Sequence, residues 1–213
     1  MNQFEVSLAV TEHRPGMVID ALAWPCCPVP PAGRTSLVSD RPAREGENVT
    51  ELQGPAERTR HWDRLYRRLD ETQVSWFESD PTCSMALLNA LGVSPDLSVV
   101  DIGAGAFRLI DTLLARGFLD LTALDVSDEG LTQTEKRLGR DATRVHWVVT
   151  DVLTCSPGRR FDVWHDRAVF HFLTDPTDQV RYMNFLTQAL TAQGQVVIGR
   201  SPRMAPRNAR VCQ

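Results

Sequence analysis

No apolar run in this 213-residue sequence is long enough to cross a bilayer, and Glu5 and Glu12 stand where a secretory leader would carry basic charge and then an apolar core. A cytoplasmic protein without a membrane partner is expected. The five cysteines, Cys26, Cys27, Cys83, Cys155 and Cys212, include no C-x-x-C pair and no zinc-site spacing. Free thiols and no metal are expected. Basic charge is also short. Lys and Arg number 23 against 27 Asp and Glu, for a net charge of -4, and Lys136 is the only lysine. With the arginines scattered, nothing points to nucleic acid as a partner.

A third glycine is missing as well. The run Val99-Val100-Asp101-Ile102-Gly103-Ala104-Gly105-Ala106-Phe107-Arg108-Leu109 reads as strand, tight turn and helix, a geometry that brings a ligand against helix-start amides. The dinucleotide fingerprint G-x-G-x-x-G would need a small residue where Arg108 stands, which counts against an NAD-dependent oxidoreductase. The string D-x-G-x-G, with Asp101 two residues before Gly103, resembles instead the first motif of class I S-adenosylmethionine (SAM) methyltransferases. That resemblance implies that Asp101, Gly103 and Gly105 hold the methionine end of SAM. It also makes Phe107 a departure, because the family keeps a small residue there; the ring is expected either to crowd the cofactor or to turn into helix packing.

The chain divides unevenly. Residues 1–57 are interrupted by Pro25, Pro28, Pro30, Pro31 and Pro42 and are polar from Arg34 onward, so they are expected to form a poorly structured extension that can be removed at little cost. Residues 58–200 alternate strand and helix signals as a doubly wound α/β domain requires. Trp62, Leu65, Tyr66 and Leu69 share one helical face, and His61-Trp62-Asp63 with Tyr66, Val74-Ser75-Trp76-Phe77-Glu78, Pro81 and Ser84 resembles the opening of the elongation-factor 1A and citrate-synthase lysine methyltransferases and their bacterial relatives. In that group these segments cover the SAM pocket, which makes Trp62, Tyr66 and Trp76 candidates for a lid. Asp80-Pro81 reads as a helix start, with Asp80 as its cap.

Strands are expected at 97–102, Leu121–Val126, Val145–Val149, Phe161–Asp166 and Gln195–Gly199. Asp125 ends the second of these, 20 positions after Gly105, where a carboxylate can accept both ribose hydroxyls; Val126 follows it. By the resemblance, Asp151 accepts from the adenine amino group and Val152 contributes a backbone amide. His165 and Asp166 end the fourth strand, where open α/β sheets bind ligands, and they are the candidates for the catalytic base, with His171 behind them; His165 also counts as a cofactor contact. Asp175-Pro176 opens a helix whose apolar face is read as Val180, Met183, Leu186 and Leu190.

Residues 201–213 form an irregular tail in which no strand is legible. The expected fold is thus a Rossmann-like methyltransferase sheet lacking the C-terminal hairpin that completes it in relatives. An uncovered apolar edge on residues 196–198 would then favour self-association and slow catalysis. The expected activity is SAM-dependent methyl transfer to a protein lysine or a small molecule. The alternative is a truncated, non-catalytic remnant that binds SAM or a partner.

Overall fold

The computed structural model describes residues 5–10, 54–74, 77–167 and 169–200, with the side chains of 5–10 and Arg200 left aside. It contains a six-stranded sheet and five α-helices among the described residues. The strands are β1 (Glu5–Val10), β2 (Ser98–Ile102), β3 (Asp120–Asp125), β4 (Val145–Val149), β5 (Phe161–Asp166) and β6 (Leu190–Arg200). The helices are α1 (Pro55–Arg68), α2 (Thr82–Ala90), α3 (Leu109–Ala115), α4 (Asp128–Leu138) and α5 (Pro176–Ala189).

The sheet runs β1-β6-β5-β2-β3-β4, with β2 to β6 mutually parallel and β1 antiparallel to β6. Its middle strands carry apolar side chains on both faces, as parallel strands between helices must. Val99, Val163 and Val197 join Met85 and Leu88 of α2, Leu109, Ile110 and Leu113 of α3, and Leu131 of α4 in one cluster. Val100, Ile102, Trp164 and Val196 point to the other face, against Tyr182, Phe185 and Leu186 of α5.

Local signals set most boundaries. Ser127 caps α4 by accepting from the Gly130 N–H at 3.2 Å, and Asp175 caps α5 by accepting from the Thr177 N–H at 2.7 Å. Three expectations need correction. Asp80 is not a side-chain cap: α2 begins at Thr82 after Pro81, with no capping side chain. On α5 the buried face is Tyr182, Phe185, Leu186 and Ala189, while Val180 and Met183 are exposed, because Tyr182 and Phe185 bring larger apolar surface to Trp164.

The third correction concerns the sheet edge. Glu5 to Val10 pair with Arg200 to Gln195 in antiparallel register, so the outer edge of β6 is covered by a strand from the N-terminal stretch read as unstructured. Val6, Leu8 and Val10 alternate with Ser7 and Ala9, a strand pattern. The open edge that motivated self-association is therefore absent. The proline-rich remainder of the extension, residues 11–53, and the tail, 201–213, lie outside the described residues.

Candidate cofactor site

The carboxyl ends of β2, β3 and β4 meet under α1, and this crevice gathers most of the residues singled out from the sequence. After β2 the chain turns on Gly103 (φ +69°) and Gly105 (φ +39°), conformations that L side chains rarely adopt. The Gly103 and Ala104 amides donate to the Leu124 carbonyl at 2.8 and 3.1 Å, which fixes the turn to β3. A methyl group on Gly103 would overlap the Val169 side chain, and one on Gly105 would overlap the Tyr66 hydroxyl.

Asp125 at the tip of β3 is buried, accepting from the Gly105 N–H at 2.9 Å through Oδ2 and from the Ser127 N–H at 2.8 Å through Oδ1. It is no loop carboxylate in water. Burial pushes its acid up to about 7, against the backbone bonds from Ser127, Gly105 and Val126 that favour the ionised form. A raised folded-state value means that this group's contribution to stability is present at low pH and lost as pH rises through about 7. Binding of ribose hydroxyls has the opposite sign, since the ionised carboxylate is the better acceptor. We expect affinity for S-adenosylhomocysteine to fall by up to about tenfold per pH unit below the Asp125 midpoint, and Asp125→Asn to flatten that dependence. Calorimetric titration across pH 5 to 8, in roughly half-unit steps, reads it; an unaltered slope in the variant would remove Asp125 from the site.

Asp151, after β4, accepts from the Leu153 N–H at 2.9 Å and pairs with Arg58 of α1, whose Nε and Nη2 lie 2.8 and 2.7 Å from Oδ2. Val152 is buried behind it, and Val126 is half-buried beside Asp125. Further along α1, Asp63 accepts from the Ser127 hydroxyl at 2.6 Å, the Gln133 side chain donates to the Tyr66 carbonyl at 2.6 Å, and Arg67 pairs with Glu129 at 2.8 Å. Tyr66 lies buried over Gly105 and Gly130; burial and the neighbouring Asp125 charge raise its hydroxyl well above the ordinary phenol range. Trp62 packs edge-on to Phe172 at 5.5 Å. The helix α1 thus packs on α4 and on the turns after β2, β3 and β4. Trp76, the third lid candidate, is outside the described residues.

The remaining candidates sit differently from expectation. His165 is 1% exposed and hydrogen-bonded at both ring nitrogens: Nδ1 lies 2.7 Å from Asp101 Oδ1 and Nε2 2.9 Å from Ser84 Oγ, and the ring lines a small pocket with Cys83, Leu87 and Arg167. Asp166 is wholly buried, accepting from the Val169 and Phe170 amides at 2.7 and 3.0 Å and from the Tyr182 hydroxyl, whose oxygen accepts from Trp164 Nε1 at 2.9 Å. These bonds make Asp166 the organiser of the turn after β5 rather than a free base. His171 keeps Nδ1 without a hydrogen-bond partner among the described residues, and burial holds its imidazole down at about 4.

Several contributors were missed in the sequence. Arg137 donates to the Ala106 and Phe107 carbonyls at 3.2 and 3.0 Å and pairs with Asp111 at 2.8 Å, bracing the glycine loop from α4. Glu71 accepts from both Arg137 and Arg108. Arg167 stacks 3.8 Å above the Phe107 ring and pairs with Glu78 at 2.8 Å. Phe107 therefore turns into packing beneath an arginine. These contacts cross 26 to 89 residues of sequence, and no local pattern announces them.

Residues 100–196, a little under half of the chain, match the sequence model of a methyltransferase domain. No curated protein sequence matches. Among solved structures, the DhpI–SAM–HEP complex is similar at 18% identity and TM-score 0.53, over 68% of this chain and 64% of that one. The glycopeptide N-methyltransferase MtfA bound to S-adenosylhomocysteine is similar at 23% identity and TM-score 0.50, over 66% and 60%. Phosphoethanolamine N-methyltransferase 1 of Haemonchus contortus is similar at 16% identity and TM-score 0.51, over 67% of this chain and 31% of its own. The chain spans less than two thirds of each of these proteins. It has the Rossmann-like fold of class I SAM-dependent methyltransferases. Its similarity to the elongation-factor 1A lysine methyltransferases stays a resemblance of motifs. Among the described residues, no helix is long and apolar enough to cross a membrane.

Proposed function

We propose that the chain is a SAM-dependent methyltransferase acting on a small-molecule nucleophile. The observation that carries the cofactor assignment is the pairing of a glycine cradle with an orphaned acid: Asp101 Oδ2 is buried and has no hydrogen-bond partner among the described residues. An unsatisfied buried carboxylate oxygen fits the ammonium of an amino-acid ligand. Asp101 and the Gly103–Gly105 turn would hold that end, Asp125 the ribose and Asp151 with Val152 the base. Each engaged carboxylate oxygen keeps a second lone pair for these contacts.

When bound, SAM supplies an electrophilic methyl on a sulfonium, displaced in line by the acceptor. This chain's part is alignment and exclusion of water, with α1 across the crevice and Tyr66 on the loop. The small-molecule reading draws support from relatives named for a glycopeptide and for phosphoethanolamine. Protein lysine has the motif resemblance alone. The non-catalytic alternative rested on the break in the strand pattern after Gly199 and the Arg/Pro-rich tail that follows it; β1 pairs with the outer edge of β6 at that point.

Calorimetry with S-adenosylhomocysteine should show one saturable site, NAD should give no heat, and Asp125→Ala should weaken binding by about 1.5–3 kcal/mol, the scale of a lost charged hydrogen bond. Binding of NAD, or an unchanged affinity in the variant, would sink the assignment.

A further inference from the structure

Sheet register, rather than sequence proximity, builds a three-residue chain behind the glycine cradle. Asp101 of β2 and His165 of β5 are direct partners in the parallel pairing, with Ala123 and Val197 level with them on the flanking strands. Side chains at one level point to one face, here the face covered by α2. Ser84, in the first turn of α2, meets the outer edge of the imidazole, and all three residues are at most 3% exposed.

An ionised carboxylate can only accept, so His165 Nδ1 is the donor to Asp101; in the neutral ring Nε2 then accepts from the Ser84 hydroxyl. One oxygen of Asp101 is thereby fixed, and the other is left unpartnered among the described residues. We propose that Ser84 and His165 are positioning residues that hold the Asp101 carboxylate so that its second oxygen receives the ammonium of the cofactor's amino-acid end. The inference rests on the SAM reading above. It assigns His165 to cofactor recognition through Asp101, and it gives Ser84 a role where neither its helix nor its motif suggests one. The arrangement shares its connectivity with a hydrolytic Ser-His-Asp triad, but its serine is buried with the rest.

The test compares two ligands that differ only in the amino-acid end, S-adenosylhomocysteine and 5′-methylthioadenosine. Ser84→Ala should weaken S-adenosylhomocysteine by about threefold to tenfold, the scale of one hydrogen bond, and leave 5′-methylthioadenosine within about twofold. His165→Leu should weaken the first ligand by tenfold or more, on the order of a charged hydrogen bond, and His165→Asn, which retains a donor near Nδ1, should recover most of the loss. Should a variant fail to fold, ring-nitrogen NMR of the wild-type chain gives the same answer. The His165 Nδ1 signal should be protonated and should move on adding S-adenosylhomocysteine but not 5′-methylthioadenosine.

Parallel weakening of both ligands, no weakening of either, or an unresponsive ring would overturn the proposal while leaving the cofactor assignment standing. Labelling of Ser84 by a fluorophosphonate would also overturn it, in favour of a nucleophile. If the wild-type chain binds neither ligand, the SAM reading itself fails, and the proposal with it.

Discussion

Replacing Gly105 by alanine is expected to lower the unfolding free energy by about 2–5 kcal/mol and to abolish S-adenosylhomocysteine binding. Two separate costs add at this position. The backbone stands at φ +39°, where an L side chain is strained by about 1–2 kcal/mol, and the new methyl would enter the space held by the Tyr66 hydroxyl, an overpacking cost of about 1–3 kcal/mol. Neither can be relieved locally. The Gly105 N–H is held by Asp125, its carbonyl accepts from the Thr134 hydroxyl at 2.7 Å, and Tyr66 is pinned through its own carbonyl by Gln133. Gly117→Ala isolates the first cost, because that glycine has φ +84° with open space around it and lies outside the crevice. Urea unfolding should therefore place the Gly105 variant well below the Gly117 variant, and only the former should lose the ligand. Equal stabilities with both variants binding would show that the cradle is not closed by Tyr66.

The second large effect concerns the sheet edge. Deleting residues 1–10 should cost about 2–4 kcal/mol and turn a monodisperse chain into an associating one. Six register pairs join β1 to β6, and β6 carries Val196 and Val197 in the two cores, so stripping its outer edge leaves an apolar strand with a row of unpaired backbone groups. Each backbone hydrogen bond contributes about 0.5–1.5 kcal/mol net, and ordering β1 offsets part of the sum. Light scattering after size exclusion, together with urea unfolding, reads both consequences. A truncated chain that stays monomeric with an unchanged midpoint would mean that β1 adds nothing to the sheet.

What was legible in the sequence follows from what is local. Ser127 and Asp175 announced their helices because a cap is satisfied within three residues, and the glycine turn with Asp125 was legible because one βα unit contains both. The α5 face was misread because Val180 and Met183 fit a helical period as well as Tyr182 and Phe185 do; only the position of Trp164 decides between them. The strand β1 shows an apolar alternation at Val6, Leu8 and Val10, yet its partner lies near the other end of the chain. His165 was legible as a residue at a strand end, but its hydrogen-bond partners were not. Its partners, 64 and 81 positions away, are set by strand register and by the docking of α2.

Hydrogen–deuterium exchange of the intact chain with and without S-adenosylhomocysteine tests the central claim most directly, because it reports where the ligand sits. The account predicts slower exchange at residues 103–106, 125–127 and 151–153, with α3 and the strand β1 unchanged. Protection elsewhere on the sheet, or saturating ligand with no change at the glycine turn and Asp125, would contradict it.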